Sequence, residues 1–198
     1  VTNISLFTIG VDEAGRGPLA GPVAVGVVMA PEGYDFLGVF PYLNDSKKLS
    51  EKKREAIFEE LVRRQKAGEL SFCVKSVSAQ AIDRSGIVRA VIASVHAGVR
   101  QLAPEHVGVK VYLDGLLHAP EEYEQETVVG GDARVPAIML ASIAAKVSRD
   151  RVMVTLADEY PGYGFEKHKG YGTKAHSEAI QKLGLSAIHR RSFCKNFM

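Results

Sequence analysis

The sequence has no tryptophan and only two cysteines, Cys73 and Cys194. Two unpatterned thiols exclude a disulfide framework and a cysteine-built zinc site, and both read as reduced thiols of a cytosolic protein. No apolar run approaches the ~20 residues that cross a bilayer. No basic segment followed by an apolar stretch opens the sequence, so a cytoplasmic protein with no membrane partner is expected. Internal repeats, low-complexity tracts and long linkers are absent too. A hydrophobic fraction of 46% excludes a disordered chain. A length of 198 residues allows one sizeable core with at most a small appendage.

Charge is nearly balanced overall, at +2, but it is unevenly placed. Residues 1–133 carry 14 Lys and Arg against 18 Asp and Glu, whereas residues 134–198 carry 11 against 5. Taken alone this describes a solvated surface. Beside a cluster of carboxylates, a basic face suits a polyanion held over bound metals.

The most informative stretch is Asp12-Glu13-Ala14-Gly15-Arg16-Gly17-Pro18. Phe7 to Val11 alternates like a strand, and successive strand residues face opposite sides. Asp12 and Glu13 therefore share a site only if the chain leaves the strand there, a departure that Gly15, Gly17 and Pro18 would supply. Asp114 ends the run Val109-Lys110-Val111-Tyr112-Leu113 and precedes Gly115; Asp132 lies in Gly130-Gly131-Asp132-Ala133. A strand-end aspartate by itself more often forms a turn or caps a helix. If the first and fourth strands run parallel and adjacent, however, these groups meet at the carboxyl ends of the sheet. Carboxylates gathered there repel one another unless cations neutralise them, and oxygen-only ligation points to Mg²⁺ or Mn²⁺.

Strands are expected at about 6–12, 22–30, 70–77, 107–114 and 126–130, and helices at 51–66, 78–102, 136–160 and 174–183. Gly86 is tolerated inside the second helix, and residues 31–49 are irregular. Strands that first follow one another and then alternate with helices predict a mixed sheet flanked by helices. Ser142, Lys146 and Asp150 recur every four residues on one helix face; they form either a surface ion pair or a polar face aimed at the site. His168-Lys169-Gly170-Tyr171-Gly172-Thr173 sets a tyrosine between glycines, able to offer its ring to a sugar or base with basic residues beside it. His189-Arg190-Arg191-Ser192-Phe193 repeats the theme, with a solvated tail as its alternative. His96, His106 and His118 read as structural or solvent-facing.

Together with Asp45-Ser46-Lys47-Lys48-Leu49-Ser50 and Ala141-Ser142-Ile143-Ala144-Ala145-Lys146-Val147-Ser148-Arg149-Asp150, these motifs resemble bacterial ribonuclease HII, in family order, over about residues 8–195. The resemblance implies an α/β, RNase H-like five-stranded mixed sheet over residues 1–160 and a C-terminal helical, basic extension over 161–198. It implies an endonuclease acting on RNA in RNA/DNA hybrids and on single ribonucleotides embedded in duplex DNA. Asp12, Glu13, Asp114 and Asp132 would be catalytic and would hold two Mg²⁺ or Mn²⁺ ions, bridged by Asp12. Gly15, Arg16 and Gly17 would contact the ribose 2′-hydroxyl through their backbone, and Tyr171 would stack on the following deoxyribose. Lys47, Ser142, Lys146, Lys169 and Arg191 complete the implied substrate-binding set.

The strand begins within ten residues of Val1, which fits this family better than ribonuclease HIII with its extra N-terminal domain. A monomer is expected. Some family members end in a sliding-clamp peptide, which Phe193 to Met198 does not identify. Two alternatives stay open: a hybrid-binding protein without turnover, and another RNase H-like metal nuclease such as a junction resolvase.

Overall fold

Apolar alternation builds five strands in the computed structural model, which describes residues 6–197. Residues 1–5 of the expected core and Met198 of the C-terminal peptide lie outside the described residues. The strands are β1 (Phe7–Ala14), β2 (Val23–Pro31), β3 (Ser71–Val77), β4 (Val109–Asp114) and β5 (Glu124–Val128), in spatial order β3-β2-β1-β4-β5. β1, β2 and β3 pair antiparallel; β1, β4 and β5 pair parallel. The helices are α1 (Phe36–Val39), α2 (Glu51–Lys66), α3 (Ala79–Ser85), α4 (Ile87–Leu102), α5 (Pro136–Glu159), α6 (Phe165–His168) and α7 (Lys174–Leu183). The mixed, helix-flanked five-stranded sheet is thus the one expected from the sequence.

Strand parity divides the core. Ile9, Val11, Val23, Val25, Val27, Val111 and Leu113 face one side and pack with Val91, Val95 and Val99 of α4. Val28 and Ala30 face the other side, with Ile57, Phe58 and Leu61 of α2 and Leu140, Ile143 and Val147 of α5. α5 is apolar on nearly every face because it runs between this sheet and α2. It approaches so closely that a Cβ on Gly10 would stand 2.2 Å from the Ala137 carbonyl carbon, and one on Gly26 2.1 Å from the Ala141 oxygen. A third apolar cluster of Ala20, Met153, Tyr163, Phe165 and Ile180 joins the C-terminal helices to the far end of α5 and to the loop after β1.

Several expected boundaries move. The helix expected over 78–102 is two helices, broken where Gly86 takes φ 81°, ψ 148° and its N–H closes α3 on Ile82 O. The irregular 31–49 segment contains α1, capped by the Asp35 side chain, which accepts from Gly38 N–H. β4 starts at Val109, and β5 lies two residues earlier than expected, because Gly130 turns left-handed at φ 67°. β1 does not end at Asp12. β2 pairs with it as far as Ala14, while β4 stops pairing at Val11. The C-terminal segment is no solvated tail: His189 and Arg190 are buried. Cys73 and Cys194 are free thiols, and no described helix is long and apolar enough to cross a membrane.

Gly26→Ala should cost about 2–3 kcal/mol, because the new methyl meets backbone that cannot move aside. Gly17, which has open space around it, should accept alanine for less than about 0.5 kcal/mol. Urea unfolding of the two variants measures the contrast, and equal losses would contradict this account of the sheet–helix contact.

Candidate active site

Register brings the aspartates together. Val11 pairs with Leu113 across the parallel β1–β4 ladder, so Asp12 and Asp114 are the next residues on each strand and face the same way, toward α5. Asp132 sits in the 3₁₀ turn Gly131–Ala133 immediately before α5. Asp114 pins that turn: its Oδ1 accepts from Gly131 N–H at 2.7 Å and from Asp132 N–H at 3.4 Å. One carboxylate oxygen from each of Asp12, Asp114 and Asp132 lies within 4.8 Å of the others.

Burial makes this arrangement costly without a cation. Asp12 is 5% exposed. Its pKa is pushed up to about 8, first by burial and then by the Glu13 and Asp114 carboxylates, against the Ser142 hydroxyl and the Glu13 N–H. At neutral pH Asp12 thus keeps a proton unless a positive charge replaces it. Lys47 is one such charge: its Nζ donates to Asp132 Oδ2 at 2.8 Å, which raises the lysine pKa. An all-carboxylate set at this spacing fits a hard divalent cation, and Asp12, Asp114 and Asp132 could hold one.

Asp12 and Asp114 open into a cavity of about 390 Å³, also lined by Glu13, Gly15, Arg16, Gly17, Ser46, Lys47, Arg54, Ser142, Lys146 and Tyr171. Glu13 lines this cavity without joining the three-aspartate cluster; its Oε1 accepts from Arg16 Nη1 at 3.3 Å. β1 continues past Asp12, yet the notch left where β4 stops lets both neighbours reach one space. Ser142 bonds Ser46 Oγ at 3.0 Å and so ties the Lys47 loop to α5. Lys146 donates to Asp150 at 2.8 Å while also lining the cavity. Asp150 and Ser142 are buried, so of the two readings of this helix face the surface ion pair does not hold. A larger groove of about 540 Å³ between residues 39–42 and α2 lacks the aspartates.

Lys169 and Arg191 do not line the cavity. The Lys169 ammonium folds back on Glu166 O, and the residue sits at φ 51°, a strained conformation for a side-chain-bearing residue. Arg191 is exposed, and its backbone N–H donates to Asp83 at 2.8 Å. Sequence reasoning passed over three arginines that shape the site. Arg54 donates to the Ser46 and Leu49 carbonyls and holds the Lys47 loop. Arg149 and Arg190 are buried under the Gly15–Pro22 loop. Gly15 takes φ 85°, and a Cβ there would strike Arg149 Nε at 1.9 Å. Nothing in the neighbouring residues marks Arg149 or Arg190 as buried, since Ser148 and Asp150 flank the first and His189 and Arg191 the second.

Tyr171 is 43% exposed, with the Arg149 guanidinium 5.7 Å from its ring centroid. Histidines hold its backbone. His176 Nδ1 donates to Tyr171 O at 2.9 Å, leaving Nε2 to accept from His189 Nε2 at 3.0 Å; His189 Nδ1 accepts from Ser186 N–H at 2.9 Å. Both rings are satisfied only when neutral. Burial depresses both pKa values, that of His189 to about 4, helped by the neighbouring His176.

Three acidic side chains gathered where the β1–β4 pairing ends, on a helix-flanked sheet ordered β3-β2-β1-β4-β5, sit on a ribonuclease H-like fold. Residues 9–196 match the family model described as Ribonuclease HII. Ribonuclease HII of Endomicrobium trichonymphae is 46% identical over 93% of this chain and 83% of its own. Ribonuclease HII of Coxiella burnetii is 45% identical over 97% and 90%. The ribonuclease HII in a PCNA complex from Archaeoglobus fulgidus superposes with a TM-score of 0.76 at 25% identity, covering 93% and 94% of the two chains. The ribonuclease H2 of Pyrococcus horikoshii OT3 shares the fold, with a TM-score of 0.73 at 23% identity over 96% of each chain. The chain belongs to the ribonuclease HII family and is an enzyme of the ribonuclease H type.

The histidine pair gives a pH signature. Its folded-state pKa values lie below the unfolded value of ~6.5, so the neutral forms favour folding. That contribution is full above pH 6.5 and drains away as pH falls toward 4. His189→Gln should flatten the fall in melting temperature over this window. A variant that loses stability as steeply as the parent between pH 6.5 and 4 would contradict the neutral-pair assignment.

Proposed function

We propose that this chain hydrolyses RNA in RNA/DNA hybrids and cuts on the 5′ side of a single ribonucleotide embedded in duplex DNA, leaving 3′-hydroxyl and 5′-phosphate ends, in the service of ribonucleotide removal from DNA. One observation carries the reading: buried Asp12 and half-buried Asp114, two of the three clustered aspartates, open into the same cavity as Gly15, Arg16, Gly17 and the half-exposed Tyr171. The first group suits phosphodiester hydrolysis, the second a ribose. The 2′-hydroxyl is the mark by which a protein tells RNA from DNA.

Asp12, Glu13, Asp114 and Asp132 are the proposed holders of two divalent cations. Bound Mg²⁺ or Mn²⁺ would supply an activated water and charge compensation at the departing 3′ oxygen. The Ser142 hydroxyl would steady Asp12 by hydrogen bonding. Lys47 and Lys146 stand at the cavity with charge for the flanking phosphates. Lys169 and Arg191, outside the cavity, would meet phosphates further along the duplex. The Gly15–Gly17 backbone would contact the 2′-hydroxyl, and the Tyr171 ring would lie against the next deoxyribose.

A hybrid-binding protein without turnover fits less well, since buried carboxylates repel the phosphates that such a protein must hold. A sliding clamp is a proposed partner on the strength of the Archaeoglobus fulgidus complex alone.

A labelled DNA duplex carrying one ribonucleotide, incubated with Mg²⁺, with Mn²⁺ and with EDTA, tests the proposal. A metal-dependent cut 5′ of the ribonucleotide is expected. Cutting confined to long hybrids would remove the junction reading, and no cutting of either substrate would leave a binding protein. Asp12→Asn should lower the cleavage rate by at least ~10³-fold. Because it removes a buried carboxylate, it should melt no lower than the parent in EDTA. An Asn variant with full Mg²⁺-dependent activity would exclude Asp12 from the metal set. Tyr171→Ala should reduce the preference for an isolated ribonucleotide over all-DNA by about tenfold, the scale of one lost stacking contact.

A further inference from the structure

Carbonyls of the loop after β1 converge on one buried guanidinium. Arg190 has no exposed surface. Its Nη2 donates to Gly15 O at 2.6 Å, its Nη1 to Arg16 O at 2.9 Å and its Nε to Gly21 O at 3.0 Å. The segment is also stitched to the loop by main chain: Arg190 N–H donates to Leu19 O at 2.8 Å, and Gly21 N–H to Ile188 O at 2.9 Å. Arg149 grips the next stretch, donating to Pro22 O at 2.8 Å and Ala20 O at 3.3 Å, and reaches Lys169 O at 2.8 Å in the loop that carries Tyr171. Among the described residues no carboxylate pairs with either guanidinium. An arginine whose donors go to main-chain oxygens serves geometry, because its planar fork fixes several acceptors at once.

The direction of those carbonyls decides the direction of other groups. In a trans peptide, the C=O of one residue and the N–H of the next point to opposite sides of the unit. Arg190 draws the Gly15 and Arg16 carbonyls inward, so the N–H groups of Arg16 and Gly17 point outward, on the side of the cavity that these residues line. Neither N–H has a protein acceptor among the described residues. Two free donors held in one direction form a ready site for a hydroxyl oxygen.

We infer that Arg190 is a positioning residue for ribose recognition: it aims the Arg16 and Gly17 N–H groups into the cavity and, with Arg149, locks their loop against the Tyr171 loop. The inference rests on the proposed reading of Gly15–Gly17 as the 2′-hydroxyl contact. It gives buried Arg190 a part in ribose recognition through the loop it holds, separate from the phosphate contact proposed for its exposed neighbour Arg191. Lysine at position 190 keeps the charge but offers its donors from a single atom, which cannot span the spread of carbonyls that a guanidinium holds.

The test is equilibrium binding in Mg²⁺ on an Asp12→Asn background, so that binding is read without turnover. Two duplexes of one sequence are compared, one with a single ribonucleotide and one all DNA. Adding Arg190→Lys should lower the preference for the ribonucleotide duplex about tenfold, the scale of a lost hydrogen bond, while affinity for all-DNA stays unchanged. Arg190→Lys that is folded, by melting temperature and circular dichroism, yet keeps the parental preference would overturn the inference. A background protein with no preference would instead overturn the reading of Gly15–Gly17 on which it rests.

If Arg190→Lys does not fold, Asp83→Ala decides. Asp83 accepts from Arg191 N–H and Ser192 N–H and so anchors the segment from outside the cavity. A loss of preference of about threefold supports the inference, and an unchanged preference overturns it.

Discussion

Backbone touches backbone where α5 crosses β1 and β2, and the position of the active site depends on that contact. Gly10 and Gly26 leave no room for a side chain between sheet and helix at the crossing, so α5 comes closer there than any other residue would allow. Asp12, two residues beyond Gly10 on the same strand face, then meets Ser142, one turn beyond Ile138. The same approach brings the turn that precedes Pro136, with Asp132, against the end of β4. A looser helix would leave the aspartates on one sheet without the hydroxyl and the turn that complete the cluster.

Above that contact, two layers of opposite charge face each other across the loop that follows β1. The aspartates form one, crowded enough that Asp12 favours its proton. Arg149 and Arg190 form the other, buried and bonded to main-chain oxygens, with Arg149 Nη1 left unpartnered. Burial lowers the Arg190 pKa only to about 10, so the guanidinium stays charged at neutral pH. Both layers cost folding free energy, as functional sites commonly do.

Much of this was legible in the sequence, and the reasons for the rest are physical. Strand parity and glycine-flanked aspartates placed Asp12, Asp114 and Asp132 at one sheet edge on the condition that the first and fourth strands run parallel and adjacent, which the β1–β4 ladder meets. Glu13 was harder. Parity puts it opposite Asp12, and only the early end of β4 lets both reach one cavity. Gly86 looked like a tolerated helix glycine, since a positive φ leaves no trace in residue spacing. Arg190 and Arg191 are indistinguishable as letters; one is buried and the other exposed because of where a 3₁₀ turn begins. The roles of the histidines were hidden for the same reason: His176 and His189 matter through each other, 13 residues apart.

The grip of Arg190 on Gly15 spans 175 positions of sequence. Ribosomes deliver chains from the amino end, so the carboxylates, the sheet and α5 are all available before the residue that orders the loop beside them. A nascent or truncated chain ending before residue 188 would carry the acidic cluster without the strap that shapes its neighbour. A contact of such long range must close a large loop before it contributes, so the shape of the Gly15–Pro22 loop depends on the last residues to be made.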